Sequence, residues 1–284
     1  MKELHSKVSL VTGGGSGIGR ALAIALAAEG SPVVIADIIE ANAEAAAREI
    51  RERGGRAIGV ACDVSERSGV QKMRAAAIQA FGPVSLLFAN AGATSLERIT
   101  EMTESDIDWI LDVNLRSVLN CLHTFLPDMI AARQGHVVTT ASMAGLLPSW
   151  IPSHVPYTAA KAGAIAAMIN LREEVSEFGI GVTVLCPGGV KSNMMQTLSY
   201  RPARFGGPSQ ATLSAPERSA NIYFRPPEEV AQMVLIAIRE NRPMVVTDES
   251  RRALFENYAD LVYRAFDDAA AFDKALSLAQ TGME

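Results

Sequence analysis

The sequence predicts an α/β fold, a doubly wound parallel sheet with helices on both faces. Three observations predict it. Short apolar runs rich in Val, Ile and Leu alternate with longer Ala-rich stretches of helical period. The runs lack the polar alternation of a sheet with one wet face, so both faces are covered. A glycine-rich stretch, TGGGSGIG (12–19), follows the first run and opens the first helical stretch.

Taken in order, the strand candidates are 7–12, 32–37, 56–63, 84–90, 136–142 and 181–187. Helices are expected over 17–29, 40–53, 66–81, 103–132 and 156–178. Residues 190–227 carry several Pro and Gly with little periodicity, a length of irregular chain that is usually functional. A helix (228–240), a short strand (243–248) and an amphipathic helix follow, the last placing Leu254, Tyr258, Leu261, Val262 and Ala265 on one face for core or subunit packing. The chain has 284 residues, 49% of them hydrophobic, enough for one large core. We therefore expect one domain over 1–284, with a lid segment at 190–227 and a C-terminal helical extension at 249–284.

Composition excludes several functions. A net charge of −5 argues against a nucleic-acid binder. No apolar run approaches the ~18 residues of a membrane span, and the start MKELHSKVSLVTGGG has no leader-like apolar segment. Three scattered cysteines, Cys62, Cys121 and Cys186, have neither disulfide nor metal-ligand spacing, so no metal is expected. Buried thiols and a reducing cytoplasm fit them.

The glycine loop points to a phosphate. Gly13, Gly17 and Gly19 give G-x-x-x-G-x-G, which lets backbone approach a pyrophosphate at a helix N-terminus. Asp37 ends the second strand about twenty residues on, where a carboxylate accepts bonds from ribose hydroxyls and repels a 2′-phosphate. Neither Ser16 nor Ile38, which flank that position, is basic. NAD is favoured over NADP, although a helix-capping role for Asp37 fits the same place. YTAAK (157–161) puts Tyr157 and Lys161 on one helix face. Alone it is either a tuned acid–base pair or two ordinary residues.

Together with CDV (62–64), ANAG (89–92), VNL (113–115), ASMAG (141–145) and PGGV (187–190), these stretches resemble the short-chain dehydrogenase/reductase family over about 6–192. The resemblance implies a Rossmann fold and oxidoreductase activity on a secondary alcohol or ketone. Tyr157 would be the general acid/base, its pKa lowered by Lys161 and by the positive nicotinamide. Ser142 would hold the substrate oxygen, and Asn114 would position a water linking Lys161 to solvent. Residue types leave blander roles open, a strand-end cap for Ser142 and a backbone hydrogen bond for Asn114. The resemblance further implies pyrophosphate contacts at Gly13, Ser16, Gly17, Ile18 and Gly19. It assigns adenine to Asp63 and Val64, and ribose to Asn90 and Gly92, with Tyr157 and Lys161 also meeting the cofactor. The nicotinamide side falls to Pro187, Gly188, Val190 and Ser192. Ser192 stands where many members have Thr. Homodimers or homotetramers are implied in the same way.

The segment between Ser142 and Tyr157, MAGLLPSWIPSHVP, is about two residues longer than is common in the family. Leu146, Leu147, Trp150, Ile151 and His154 lie in or near it, and an apolar pocket with an aromatic wall is expected, with His154 read as a surface residue. DIDWILDVNLRSV, FLPDMIAARQGHVV, VKSNM and RPARFGG resemble, more finely, the Cα-dehydrogenases of bacterial lignin aryl-ether breakdown. That implies a bulky, aromatic secondary alcohol or its ketone. Arg201, Arg204, Arg218 and Arg225 in the lid either meet an acidic substrate or pair with local carboxylates. The alternatives are a reductase of a steroid, fatty-acyl or polyketide ketone, and a non-catalytic dinucleotide sensor.

Overall fold

The computed structural model describes residues 1, 3–209 and 223–281. The chain forms two compact units, Met1–Thr247 and Asp248–Glu284. The first holds seven strands, β1 (Ser9–Thr12), β2 (Val33–Asp37), β3 (Ala57–Ala61), β4 (Leu86–Ala89), β5 (Gly135–Thr140), β6 (Ile180–Cys186) and β7 (Met244–Val246). They pair in parallel in the order β3-β2-β1-β4-β5-β6-β7. The order reverses between β1 and β4, the switch point at which such sheets bind ligands beyond the strand carboxyl ends.

Alternate side chains of each strand enter different cores. Leu10, Val34, Leu87, Val137 and Val182 pack on one face with Val70 and Met73 of α3 (Arg67–Phe81), Phe125 of α5 (Ser117–Ala132) and Met168 of α7 (Val155–Glu174). Val11, Ile35, Phe88, Val138 and Leu185 pack on the other with Leu22 of α1 (Gly17–Ala28), Ala47 of α2 (Glu40–Glu52) and Leu235 of α8 (Pro227–Glu240). Full burial of β1, β2, β4, β5 and β6 on both faces explains their unbroken apolar runs. Cys62, Cys121 and Cys186 are buried, and burial pushes each thiol up to about 12.

Three departures from the sequence expectations bear on the site. The helix expected over 103–132 is two helices, α4 (Glu104–Leu111) and α5, joined by a π-helical turn at Asp112–Arg116. Thr103 and Asp106 close a reciprocal capping box at its start. Ser142 opens a short helix α6 (Met143–Leu146) inside the long insertion. Within 190–209 the chain makes 3-10 turns at Met194–Tyr200 and Ala203–Phe205, so this part of the expected irregular segment is ordered locally. The second unit opens with Asp248, which accepts from the backbone N–H of Ser250, and continues into α9 (Arg252–Thr281). Among the described residues no helix is long and apolar enough to cross a membrane.

Candidate active site

The glycine loop lies at the switch point, and its glycines are required by contact. A Cβ on Gly19 would stand 2.2 Å from the carbonyl oxygen of Gly13, and one on Gly13, whose φ is +60°, 2.9 Å from Ala91 Cα. Thr12 Oγ1 accepts from the N–H groups of Asn90 and Ala91 (both 3.0 Å), binding the β1 and β4 ends together. Asn90 Nδ2 donates to the Thr12 carbonyl at 3.0 Å.

Gly13, Asn90 and Ala91 border a cleft with Ser16, Gly17 and Ile18, and with Asp63 and Val64. Asp37 sits in it with both oxygens engaged, Oδ2 by the Gly15 N–H and Oδ1 by the Ile39 N–H (3.0 Å each). It is not the cap of α2, whose N-cap is Ile39. Burial raises the Asp37 pKa, and those backbone N–H groups act against the rise. No Lys or Arg is among the described residues bordering this cleft. Asp63 is held by Ser65 and by Arg204, whose Nη2 lies 2.6 Å from Oδ2. Of the other lid arginines, Arg201 pairs with Asp106 and Arg225 with Glu229. All three are therefore committed to local carboxylates, and Arg218 lies outside the described residues.

A second cavity, of about 400 Å³, adjoins the first and shares Ile18, Asn90, Thr140, Ser192 and Met194 with it. Pro187, Gly188 and Val190 line it, the Gly188 N–H donating to Thr247 Oγ1 at 3.0 Å. Ser142 and Tyr157 are on its wall, facing an apolar surface that includes Leu96, Trp150, Ile151, Met195 and Phe224. The aromatic wall expected from the insertion is present. Leu146 and Leu147 do not contribute; they pack into the main core. His154 is a correction: it is 6% exposed, borders this cavity and stacks on Tyr157.

The four catalytic candidates come together. Ser142 Oγ accepts from the Ala144 N–H at 3.1 Å, which leaves its own proton to give. Its hydroxyl is near enough to the Tyr157 phenol to pull that group's pKa down. Lys161 is fully buried one helical turn after Tyr157, with Nζ over the phenol ring at 5.6 Å and donating to the Thr140 carbonyl at 2.8 Å. Burial pushes the tyrosine up to about 12, against a downward pull from the Ser142 hydroxyl, and lowers Lys161 to about 8. Burial thus opposes the lowered tyrosine pKa expected from the sequence.

Asn114, buried in the π-helical turn, spends both amide protons on the carbonyls of Ala93 and Ile110 (2.8 Å each) and accepts from the Ala93 N–H at 3.3 Å. A π-helical turn is rare and often functional. A Cβ on Gly92 would meet Asn114 Oδ1 at 3.1 Å and Lys161 Nζ at 3.5 Å, so these groups converge on one point. Sequence reasoning missed Thr12, Thr140 and Thr94. Thr140 joins Lys161 to Asn90, its Oγ1 donating to Asn90 Oδ1 at 2.9 Å. The only signal was their position at or just beyond strand ends.

The residues fit a dinucleotide. The loop leaves no room for side chains, α1 presents its N-terminus beside Ser16, and Asp37 closes the far end. The family model for short chain dehydrogenase matches residues 7–202. A C alpha-dehydrogenase of Sphingobium sp. is 32% identical over 270 residues, 92% of this chain and 87% of that protein. A 3-oxoacyl-acyl-carrier-protein reductase of Thermotoga maritima is 31% identical over 82% of this chain and 90% of its own. The crystal structure of a short chain dehydrogenase/reductase from Burkholderia phymatum in complex with NAD superposes with a TM-score of 0.86 at 31% identity, covering 93% of this chain and 97% of that one. By fold, by the loop at its switch point and by these matches, the chain belongs to the short chain dehydrogenase family.

Proposed function

We propose that the protein is an NAD-dependent oxidoreductase that interconverts a bulky, aromatic secondary alcohol and its ketone, with Tyr157 as general acid/base. The carrying observation is the placement of Ser142 and Tyr157 on the wall of an apolar cavity that adjoins the glycine-loop cleft. Gly13, Ser16, Gly17, Ile18 and Gly19 would hold the pyrophosphate of NAD, Asp37 its adenosine ribose, and Asp63 and Val64 the adenine. Asn90, Gly92, Pro187, Gly188, Val190 and Ser192 would hold the remainder. When bound, oxidised NAD supplies the hydride acceptor and a positive charge.

The chain's own residues handle the proton. Ser142 offers its hydroxyl proton to the substrate oxygen. Tyr157 takes the alcohol proton as phenolate, or gives it to the carbonyl in reverse. Because burial pushes this phenol up to about 12, cations must reverse the bias; Lys161, whose Nζ lies over the ring, is one that the chain provides. Lys161 and Asn114, converging at Gly92, give the proton a route away from Tyr157. The cavity carries no carboxylate and no cation except Lys161 among its described lining, which suits an uncharged, hydrophobic substrate. The identity to a C alpha-dehydrogenase supports the aromatic reading.

The test is NADH formation from NAD⁺ across a panel of benzylic and aliphatic secondary alcohols. Tyr157→Phe should lower kcat by ~10²–10⁴-fold and leave NADH binding nearly intact. Full activity in that variant refutes the mechanism, and an inert benzylic set beside reactive aliphatic alcohols refutes the substrate class. A second reading, reduction of a 3-oxoacyl thioester, is favoured by the 31% identity to the Thermotoga reductase. Turnover of an acetoacetyl thioester with reduced cofactor, and none of benzylic alcohols, would select it.

A further inference from the structure

We propose that His154 is a positioning residue for Tyr157, holding the phenol ring from one side of the substrate cavity and tied through Thr94 to the segment at Met194–Tyr200. The proposal rests on the reading of Tyr157 as general acid/base and adds a residue to it.

The two rings are stacked, with centroids 4.2 Å apart and planes 10° from parallel. His154 precedes Tyr157 by three residues and Lys161 follows it by four, so the phenol has an imidazole one turn before it and an ammonium one turn after. His154 is the N-cap residue of α7 but makes no side-chain cap bond, so the cap position does not account for its ring. Its Nε2 instead meets Thr94 Oγ1 at 2.8 Å, in the segment after β4. The Thr94 N–H donates to Thr197 Oγ1 at 3.2 Å, and Thr197 Oγ1 donates to the Met194 carbonyl at 2.8 Å. Buried contacts thus run from the Met194–Tyr200 turn through Thr94 and His154 to Tyr157, all of these last three being 5–8% exposed.

The ring is neutral. Burial lowers His154 to about 4, the described lining of its cavity carries no carboxylate from α7, from the segment after β4 or from Met194–Tyr200, and Lys161 is the charged group packed on the Tyr157 ring. Nδ1 is buried with no hydrogen-bond partner among the described residues. A bare ring nitrogen is the less costly orphan, so the tautomer that fits has Nε2–H donating to Thr94. A neutral imidazole contributes no charge to the phenolate. What it contributes is a flat surface that fixes the phenol's tilt and keeps water from its face. A displaced acid–base group loses rate steeply, on the order of 10²-fold for about 1 Å.

The experiment compares His154→Ala, His154→Phe and Tyr157→Phe with the parent enzyme, using 1-phenylethanol and NAD⁺ for turnover. In parallel, ultraviolet difference absorption follows phenolate formation in the NAD⁺ complex, with Tyr157→Phe as the blank. His154→Ala should lose ~10–100-fold in kcat with KM for NAD⁺ unchanged, and its Tyr157 titration should move to lower pH as water reaches the phenol. His154→Phe keeps the stacked ring and should restore both readouts to within a few-fold of the parent. A parent-like kcat and titration in His154→Ala overturn the proposal, as does failure of His154→Phe to rescue either. If Tyr157→Phe turns over normally, the acid/base reading fails instead, and the two failures are distinct. The titration reads the positioning role whichever alcohol is the substrate.

Discussion

Lys161 carries a buried cation with no carboxylate partner among the described residues, so replacing it with Met should stabilise the protein at neutral pH while abolishing turnover. Burial lowers the ammonium from 10.5 to about 8. At ~1.4 kcal/mol per pH unit, its charge costs the fold about 3 kcal/mol wherever folded and unfolded chains both hold the proton. Met keeps the apolar stem but leaves the Thr140 carbonyl without the Nζ donor 2.8 Å away. That returns about 1–2 kcal/mol, for a net gain of roughly 1–2 kcal/mol below pH ~8. Between pH ~8 and ~10.5 the unfolded chain binds a proton that the folded chain has already lost, so parent stability rises with pH there and the variant's does not. The curves should cross in that window, the variant being the less stable above it. Tyr157, raised from 10 to about 12, acts only at higher pH and in the opposite sense, because there the folded chain keeps the proton. Urea unfolding at a series of pH values measures both curves. Parallel curves, or a variant less stable than the parent by the same margin at pH ~7 and pH ~10, would refute a buried ammonium that costs stability.

Three further outcomes follow from single contacts. Asn114→Ala strips partners from both polar groups of the Ala93 backbone and from the Ile110 carbonyl; stability should fall by about 2–4 kcal/mol, read as a thermal midpoint lower by roughly 5–10 °C. Gly19→Ala puts a Cβ 2.2 Å from a backbone oxygen of the phosphate loop, and the NADH dissociation constant by fluorescence titration should rise at least ~100-fold, about 2.7 kcal/mol. Asp37→Asn keeps an acceptor for one of the Gly15 and Ile39 N–H groups and removes the repulsion of a 2′-phosphate, so the ratio of kcat/KM for NAD⁺ over NADP⁺ should fall by ~10-fold; an unchanged ratio would show that Asp37 does not set the preference.

The strands were legible because burial on both faces leaves a continuous apolar run, and every strand expected is present. Their ends were overread where the apolar pattern outlasts the ladder. Asn90 and Ser142 were placed in β4 and β5, which stop at Ala89 and Thr140. Those residues lie beyond the sheet and border the cleft and the cavity. Helix 103–132 was read as continuous because a π-helical turn inserts no breaker; within that turn Asn114 reaches Ala93, a partner twenty-one residues away. Residues 194–205 read as irregular because 3-10 turns have no long amphipathic period.

The same division runs through the site. The glycine loop, Asp37 and the Tyr157–Lys161 pair were legible because each does its work through local geometry: a turn, a strand end, one helical repeat. His154 was misread as a surface residue because its ring partner, Thr94, is sixty residues away and no spacing connects the two. The direction of the tyrosine's pKa was also beyond the pattern. The sequence shows a lysine one turn away and suggests a lowered phenol, yet in the fold burial lifts the phenol to about 12, with the Ser142 hydroxyl pulling the other way. The lysine is itself brought down to about 8 by the same burial. Residue identities give the tyrosine, the lysine and their spacing; only packing shows that burial disfavours the charged form of each. Such a site costs stability by construction. The charge a bound oxidised dinucleotide brings would relieve the tyrosine and further strain the lysine, so cofactor binding should shift the two titrations in the same direction, toward lower pH.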